Sequence, residues 1–501
     1  MLIAELFKAL SNEAVTRPYQ TAVTSVLVSF LAYIIVNEYV ARSARLAAFD
    51  GPKRLPIVGN LHQLRSNAAE KYREWAKTYG PVYQIQLGNI PILLVNSASA
   101  ARTVFGTNSS ATASRPEFYT FHKLVSNTAG TTIGTAPYNE SLKRRRKGAA
   151  SALNRPAVET YIPHLDLETK DFVTEAYKFG KAGTQEVDPL PLVQRLSLSL
   201  ALTLNWGTRM PSSDSDLLRE ITHVEVEISR FRSTTDNLQD YIPLLRLNPF
   251  SFGHKKGCRE RVSKGTHKPC IQANIMLDRE AKLNDVEMMS ISLTMLSGGF
   301  ETFSTVTTWA IAYLATHPEI QDKAYKAISD LHGPESPLCD PDDDQKCDYV
   351  RALVRESLRY FTVLRLSLPR ATNKDFYYEG KFVPKGTVVF LNSWACNMAL
   401  GGPQIFRPER WLEHPDHPMF TFGVGYRMCA GSLLANRELY LTFMRMIASF
   451  ELSTRDEIDT NPLTGVEDLT SLVSTPRKYR VTFKPRNDAV LKAALAQGVD
   501  E

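Results

Sequence analysis

Cys429 stands in the run FGVGYRMCAG, framed by Gly423, Gly425 and Gly431, with Phe422 ahead of it and Arg427 two residues upstream. Glycine opens backbone conformations closed to other residues and lets a bulky group approach the main chain. The nearby cation, and the free N–H groups of a helix beginning just past the cysteine, favour thiolate over thiol. A thiolate so placed serves as a nucleophile or as a metal ligand. A nucleophile calls for a histidine base, and the nearest in sequence, His414 and His417, stand in a polar, proline-rich loop with no telling spacing. The other cysteines, Cys258, Cys270, Cys339, Cys347 and Cys396, lack the spacing of a zinc knuckle, and a disulfide framework is not expected.

Further patterns bear on chemistry. GGFETFS places an acid and a hydroxyl able to pass protons, Glu301 and Thr302, just after two helix-weakening glycines, Gly298 and Gly299. RESLRY sets Glu356 and Arg359 one helical turn apart. The same spacing recurs in EKYR at Glu70 and Arg73, where an exposed helical pair suffices. FRPERW contains Arg410, and SLPRAT contains Arg370. The densest basic cluster, KRRRK from Lys143 to Lys147, reads first as a solvated helix face, with a nuclear localisation signal as the rival.

The cysteine run resembles the cysteine-ligand loop of cytochromes P-450, F-x-x-G-x-R-x-C-x-G, matched by Phe422, Gly425, Arg427, Cys429 and Gly431. The resemblance implies haem b (iron protoporphyrin IX), with Cys429 as axial ligand of the iron, Arg427 pairing with a propionate and Phe422 against the ring. It also implies that Glu356, Arg359 and Arg410 form a buried structural network, and that Arg370 makes a further propionate contact. Glu301 and Thr302 resemble the acid and alcohol that deliver protons to bound dioxygen. The basic run is similar to the family's C helix, W-R-x-x-R-[RK], which assigns Arg146 to the haem. Leu142 stands where tryptophan is usual and Lys143 where arginine is.

These residues need elements to position them. NDVEMMSISLTMLSGGFETFSTVTTWAIAYLATHP predicts one long helix, opened by Asn284 with Glu287 as a capping box and closed by Pro318. Glu301 is its sole formal charge between Glu287 and His317; the many Ser and Thr side chains around that acid argue for a helix through a protein core rather than a second membrane span. GSLLANRELYLTFMRMIASFEL predicts a helix over Ser432 to Leu452. VYQIQLGNIPILLV predicts a hairpin turning at Gly88-Asn89, with Pro91 confining its strand to a sheet edge, and FYYEGKFVPKGTVVFL predicts a second hairpin.

The chain has 501 residues, 43% hydrophobic and 22% charged, with a formal net charge of +6, a balance that excludes a disordered chain and a nucleic-acid binder coated in Lys and Arg. The stretch PYQTAVTSVLVSFLAYIIVN, between Arg17 and Glu38, carries no formal charge and is close to the ~20 residues that cross a bilayer. Basic residues Arg42, Arg45, Lys53 and Arg54 follow it, against Lys8 and Arg17 before, which places the bulk of the chain in the cytosol. A cleaved signal peptide is the rival. The division expected is a lumenal segment over 1–21, an anchor over 22–40, a basic, proline-rich connector over 41–60, a catalytic domain over 61–487 and a tail over 488–501.

Periodicity reads as mainly α with minor β. The resemblance makes this the cytochrome P-450 fold, a single domain with haem between the Asn284 to His317 helix and the Cys429 loop. It implies a monooxygenase on the endoplasmic reticulum membrane, using dioxygen and electrons from NADPH-cytochrome P-450 reductase, with cytochrome b5 as a second donor. SLKRRRKGAASALNRPAVETYIPHLDLET and LQDYIPLLRLNPF resemble fungal phenylacetate hydroxylases and their cresol and benzyl-alcohol relatives. That implies a small aromatic acid or phenol as substrate, in a pocket lined by residues 120–138, 228–245 and 362–368. The alternatives are a biosynthetic monooxygenase acting on a larger polyketide product, and a haem-thiolate isomerase or dehydratase.

Overall fold

The computed structural model describes residues 18–64, 67–126, 131–235, 237–247 and 283–497. Cys258, Cys270, Lys8, Arg17 and most of the expected segment 1–21 lie outside the described residues. Helix α1 (Pro18–Ser43) leaves Val26, Leu27, Leu31 and Ile35 exposed, and its stretch Tyr19–Ser43 is long and apolar enough to cross a membrane. Its last turns turn inward. Asn37 and Ala41 are buried, and Arg54 of the connector forks onto Glu38 at 2.9 and 2.6 Å.

The rest of the chain is built from α2 (Ala68–Tyr79), α3 (Glu140–Ala152), α4 (Ile162–Phe179), α5 (Pro189–Trp206), α6 (Asp216–Phe231), α7 (Asp285–Thr316), α8 (Pro318–His332), α9 (Asp348–Phe361), α10 (Ser432–Ser449) and α11 (Asp488–Ala496). Its strands are β1 (Val82–Leu87), β2 (Ile90–Val95), β3 (Arg370–Ala371), β4 (Phe376–Tyr378), β5 (Lys381–Val383), β6 (Val388–Leu391), β7 (Phe450–Ser453) and β8 (Thr482–Pro485). The architecture is the expected one, mainly α with minor β.

Helix α7 is the axis. Asn284 accepts from Glu287 N while Glu287 accepts from Asn284 N, the predicted capping box. Every residue from Phe303 to Leu314 is buried, so this half runs through the core and is no membrane span. Its hydroxyls fold back on the helix: Thr302, Ser304 and Thr308 each donate to the carbonyl four residues earlier at 2.7 Å. Trp309 stacks on Phe361 of α9, centroids 4.8 Å apart, and donates to Ser474 O at 2.7 Å. α5 packs along α7, and α3, α9 and α10 cross it.

The first sheet runs β1-β2-β6-β3, with the hairpin turning at Gly88-Asn89 as read. Pro91 does not mark an edge: β2 pairs β1 on one side and β6, in parallel, on the other. The parallel ladder begins at Ile92, one residue past the proline, so the missing N–H costs no bond there. The second hairpin is β4-β5, and its continuation β6 joins the first sheet. Helix α10 ends at Ser449 and not at Leu452. Phe450 and Leu452 are buried while Glu451 and Ser453 are exposed, a strand pattern satisfied by pairing with β8.

The basic run is less solvated than expected. In α3, Lys143 is exposed, but Leu142 and Arg145 are buried, and Arg144 bonds Glu287 of α7 at 2.6 Å. The Glu70 and Arg73 pair is half-buried rather than exposed, because Trp394 Nε1 also donates to Glu70, at 2.7 Å.

Candidate active site

The cysteine loop is fixed by its own backbone. Cys429 N donates to Phe422 O and Met428 N to Gly425 O, both at 2.9 Å, and Tyr426 N donates to Ser109 Oγ at 2.7 Å. Gly425 sits at φ +69, and a Cβ there would fall 1.8 Å from Phe105 O. Its glycine is required by a neighbouring strand of main chain, not by a ligand. Gly431 is the opposite case, since a Cβ there meets no atom within 4 Å. Cys429 is exposed at the surface of the loop, yet desolvation by the surrounding protein raises its thiol, against the Gly431 N–H and the Arg146 charge that draw it down. A coordinated metal cation would supply the further charge that fixes a thiolate.

Four arginines converge beside this loop. Arg427 gives Nη1 to Ala113 O and Ala136 O, both at 3.0 Å, and Nη2 to Ile133 O and Gly134 O at 2.8 and 3.2 Å. Arg370 gives Nη2 to Val424 O at 2.6 Å, while its buried Nη1 has no partner. Arg146 reaches Met428 O at 3.2 Å and lies over the Tyr426 ring. The fourth is Arg115, which the sequence did not single out. It donates to the carbonyls of Gly134, Leu368 and Pro369, more than 250 residues away in two of the three cases. No motif spacing marks it. Burial, then mutual repulsion, lowers Arg115 and holds Arg370 and Arg427 at about 9. None of the four makes an ion pair among the described residues.

Helix α7 presents Gly298 and Gly299, where a Cβ would meet no atom within 4 Å. The helix runs unbroken through them, and Gly298 O accepts the Thr302 hydroxyl. Glu301 turns toward α6. Burial raises it to about 7, the Glu225 carboxyl adds to that, and Arg232 opposes it. Ser229 Oγ, also buried, makes no hydrogen bond, yet sits close enough to ease the ionisation of Glu301.

Glu356 and Arg359 are fully buried, paired through two bonds of 2.8 Å. Arg410 joins Glu356 at 3.3 Å. Trp411 Nε1 at 2.9 Å and Arg407 N at 2.8 Å complete the carboxylate's partners, and sequence reasoning assigned neither. Both arginines also grip the carbonyl of Ile405, which pins the 401–407 loop beneath α9.

The site fits the group that the resemblance implies. A planar cofactor bearing two carboxylates would neutralise a buried cationic cluster that lacks an acid of its own, occupy the open faces at Gly298, Gly299 and Gly431, and give the Cys429 sulfur its cation. The chain belongs to the cytochrome P450 family, whose description, Cytochrome P450, matches residues 50–483. It is a cytochrome P450 monooxygenase, a class that carries a haem-thiolate cofactor and takes electrons from a redox partner to use dioxygen. It is 59% identical to the 3-hydroxyphenylacetate 6-hydroxylase of Emericella nidulans, over 99% of this chain and 100% of that one. It is 39% identical to the phenylacetate 2-hydroxylase of the same organism, over 88% and 91%, and 36% identical to the cytochrome P450 monooxygenase CYP3 of Mycosarcoma maydis, over 94% of each.

Proposed function

We propose that this enzyme hydroxylates the ring of a small arylacetic acid, using haem b held by Cys429. The observation that carries the assignment of the site is the meeting of the Cys429 loop with Arg115, Arg146, Arg370 and Arg427, unneutralised by any acid among the described residues. The relatives' names support the substrate class. Positions 2 and 6 in those names are both ring carbons next to the one that bears the acetate arm, so the same regiochemistry is expected here. A haem-thiolate isomerase has no need of the Glu301 and Thr302 pair.

When bound, the haem supplies dioxygen activation and oxygen transfer to carbon, helped by electron release from a thiolate ligand. The chain supplies the rest. Cys429 is held on a loop pinned by Cys429 N to Phe422 O, Met428 N to Gly425 O and Tyr426 N to Ser109 Oγ, which fixes the position of the sulfur. Arg370, with its free Nη1, is the donor best placed for a propionate; Arg115, Arg146 and Arg427 add positive potential, with Phe422 against the ring. Glu301, raised to about 7, can both hold and release a proton near neutral pH, and Thr302 Oγ can rotate from Gly298 O to pass it inward. The Glu356, Arg359 and Arg410 network sets the loop's geometry.

α1 anchors the enzyme in the endoplasmic reticulum membrane with residues 61–487 as the cytosolic catalytic domain, 41–60 as connector and 488–501 as tail. Exposed Lys143 on α3 belongs to a basic face that would receive NADPH-cytochrome P450 reductase or cytochrome b5. The test is turnover of the full-length holoenzyme with that reductase, on phenylacetate and 3-hydroxyphenylacetate. Products hydroxylated next to the acetate arm are expected; turnover confined to fatty acids or steroids contradicts the reading.

A further inference from the structure

Arg232 stands just past the end of α6, with its guanidinium 4.9 Å from the centre of the Phe121 ring, on the turn 119–125. Its one hydrogen bond among the described residues is long: Nη1 to Ser297 Oγ at 3.3 Å. Ser297 immediately precedes Gly298 and Gly299, where α7 borders open space. Among the described residues the buried Arg232 Nε has no partner, and no carboxylate pairs with the group within 4.0 Å.

Other buried arginines look different in this same molecule. Arg427 holds four carbonyls and Arg115 three. Arg232 holds none among the described residues: its planar fork lies over the Phe121 ring with Nη1 turned to Ser297, next to the open faces of Gly298 and Gly299. A buried donor left unmet is costly, and a carboxylate answers such a fork with paired bonds. The two nearby acids do not fill that role. Neither Glu225 nor Glu301 forms an ion pair with it, and burial raises both carboxyls, Glu301 to about 7.

We propose that Arg232 is the carboxylate anchor of the substrate site, gripping the acetate arm of an arylacetic acid while Phe121 flanks its ring. The inference rests on the arylacetate reading above and adds the residue that selects the acid and fixes which ring carbon is oxidised. A tethered carboxylate leaves the ring one hinge, the methylene, which holds an adjacent carbon toward the reacting centre.

The test uses full-length holoenzyme: wild type, Arg232→Met and Arg232→Lys, each first shown by its ferrous-carbonyl spectrum to retain a thiolate-ligated haem. Binding of phenylacetate and of its neutral isostere phenylacetamide is measured by calorimetry. A charge-assisted bond predicts that wild type prefers the acid by about 10- to 100-fold, that Arg232→Met brings the ratio close to one, and that Arg232→Lys recovers part of it. An unchanged ratio in Arg232→Met overturns the anchor while leaving arylacetate hydroxylation intact. If wild type binds neither compound, the substrate class itself is wrong and the anchor falls with it. Wild type alone gives a check that no misfolded variant can blur: phenylacetamide should be oxidised with scattered regiochemistry. An amide product as selective as the acid's overturns the proposal.

Discussion

Arg427 and Arg232 show how differently the two sides of the site are built. On the cysteine-loop side both terminal nitrogens of Arg427 are saturated by carbonyls, and Gly425 is locked against Phe105 O. On the α7 side Arg232 keeps one long bond, Ser229 Oγ has no partner, and Glu225 and Glu301 are pushed toward neutrality. The first side is a rigid frame that must hold a ligand atom and a cationic cluster in place. The second is under-satisfied, which is how a surface that handles protons and exchanges substrates should look.

The largest effect should come from the frame. Glu356→Ala strands Arg359 and Arg410 without their shared carboxylate, at about 3–5 kcal/mol. Thermal unfolding and recovery of holoprotein read it; a variant as stable as wild type would break the claim that this side is a cooperative frame. Next is the α7 side. Thr302→Ala should leave the fold and carbonyl spectrum intact while product formed per dioxygen consumed drops by about 10²-fold. Unchanged coupling would show that the hydroxyl only back-bonds to Gly298.

Arg370→Met tests the unmet Nη1 on the frame side. Transfer of haem to an apoglobin acceptor should speed up by about 10-fold, as loss of a charge-assisted bond predicts. Equal transfer rates would remove Arg370 from the propionate contacts.

The smallest effect concerns Glu301. Its folded-state value of about 7 lies above the ordinary carboxyl value of 4.5, so between these pH values the folded chain holds a proton that the unfolded chain has released. Stability from this group is therefore full below 4.5 and is lost as pH rises through about 7. Glu301→Gln should raise the unfolding temperature at pH 8 by a few degrees and leave it unchanged at pH 4. The same shift at both pH values would mean that Glu301 is not a buried, titrating acid.

The contrast also explains what could be read from the sequence. Features set by short spacings were legible: the Cys429 loop, the Asn284 and Glu287 cap, the Gly88-Asn89 turn, and the Glu356 to Arg359 turn. Features set by distant partners were not. Arg115 declares itself only through Leu368 and Pro369, and the strand that ends α10 early depends on β8. Pro91 misled because whether a strand is an edge depends on where β6 docks.

The central claim is that Cys429 is the iron ligand in a haem site closed by α7. Its most direct measurement is the ferrous-carbonyl difference spectrum of the purified full-length protein beside Cys429→His. Wild type should give the red-shifted band of a thiolate-ligated haem, and the variant should lose it for a histidine-type band or lose haem altogether. A wild-type spectrum without that band, or a band that survives in Cys429→His, would contradict the account.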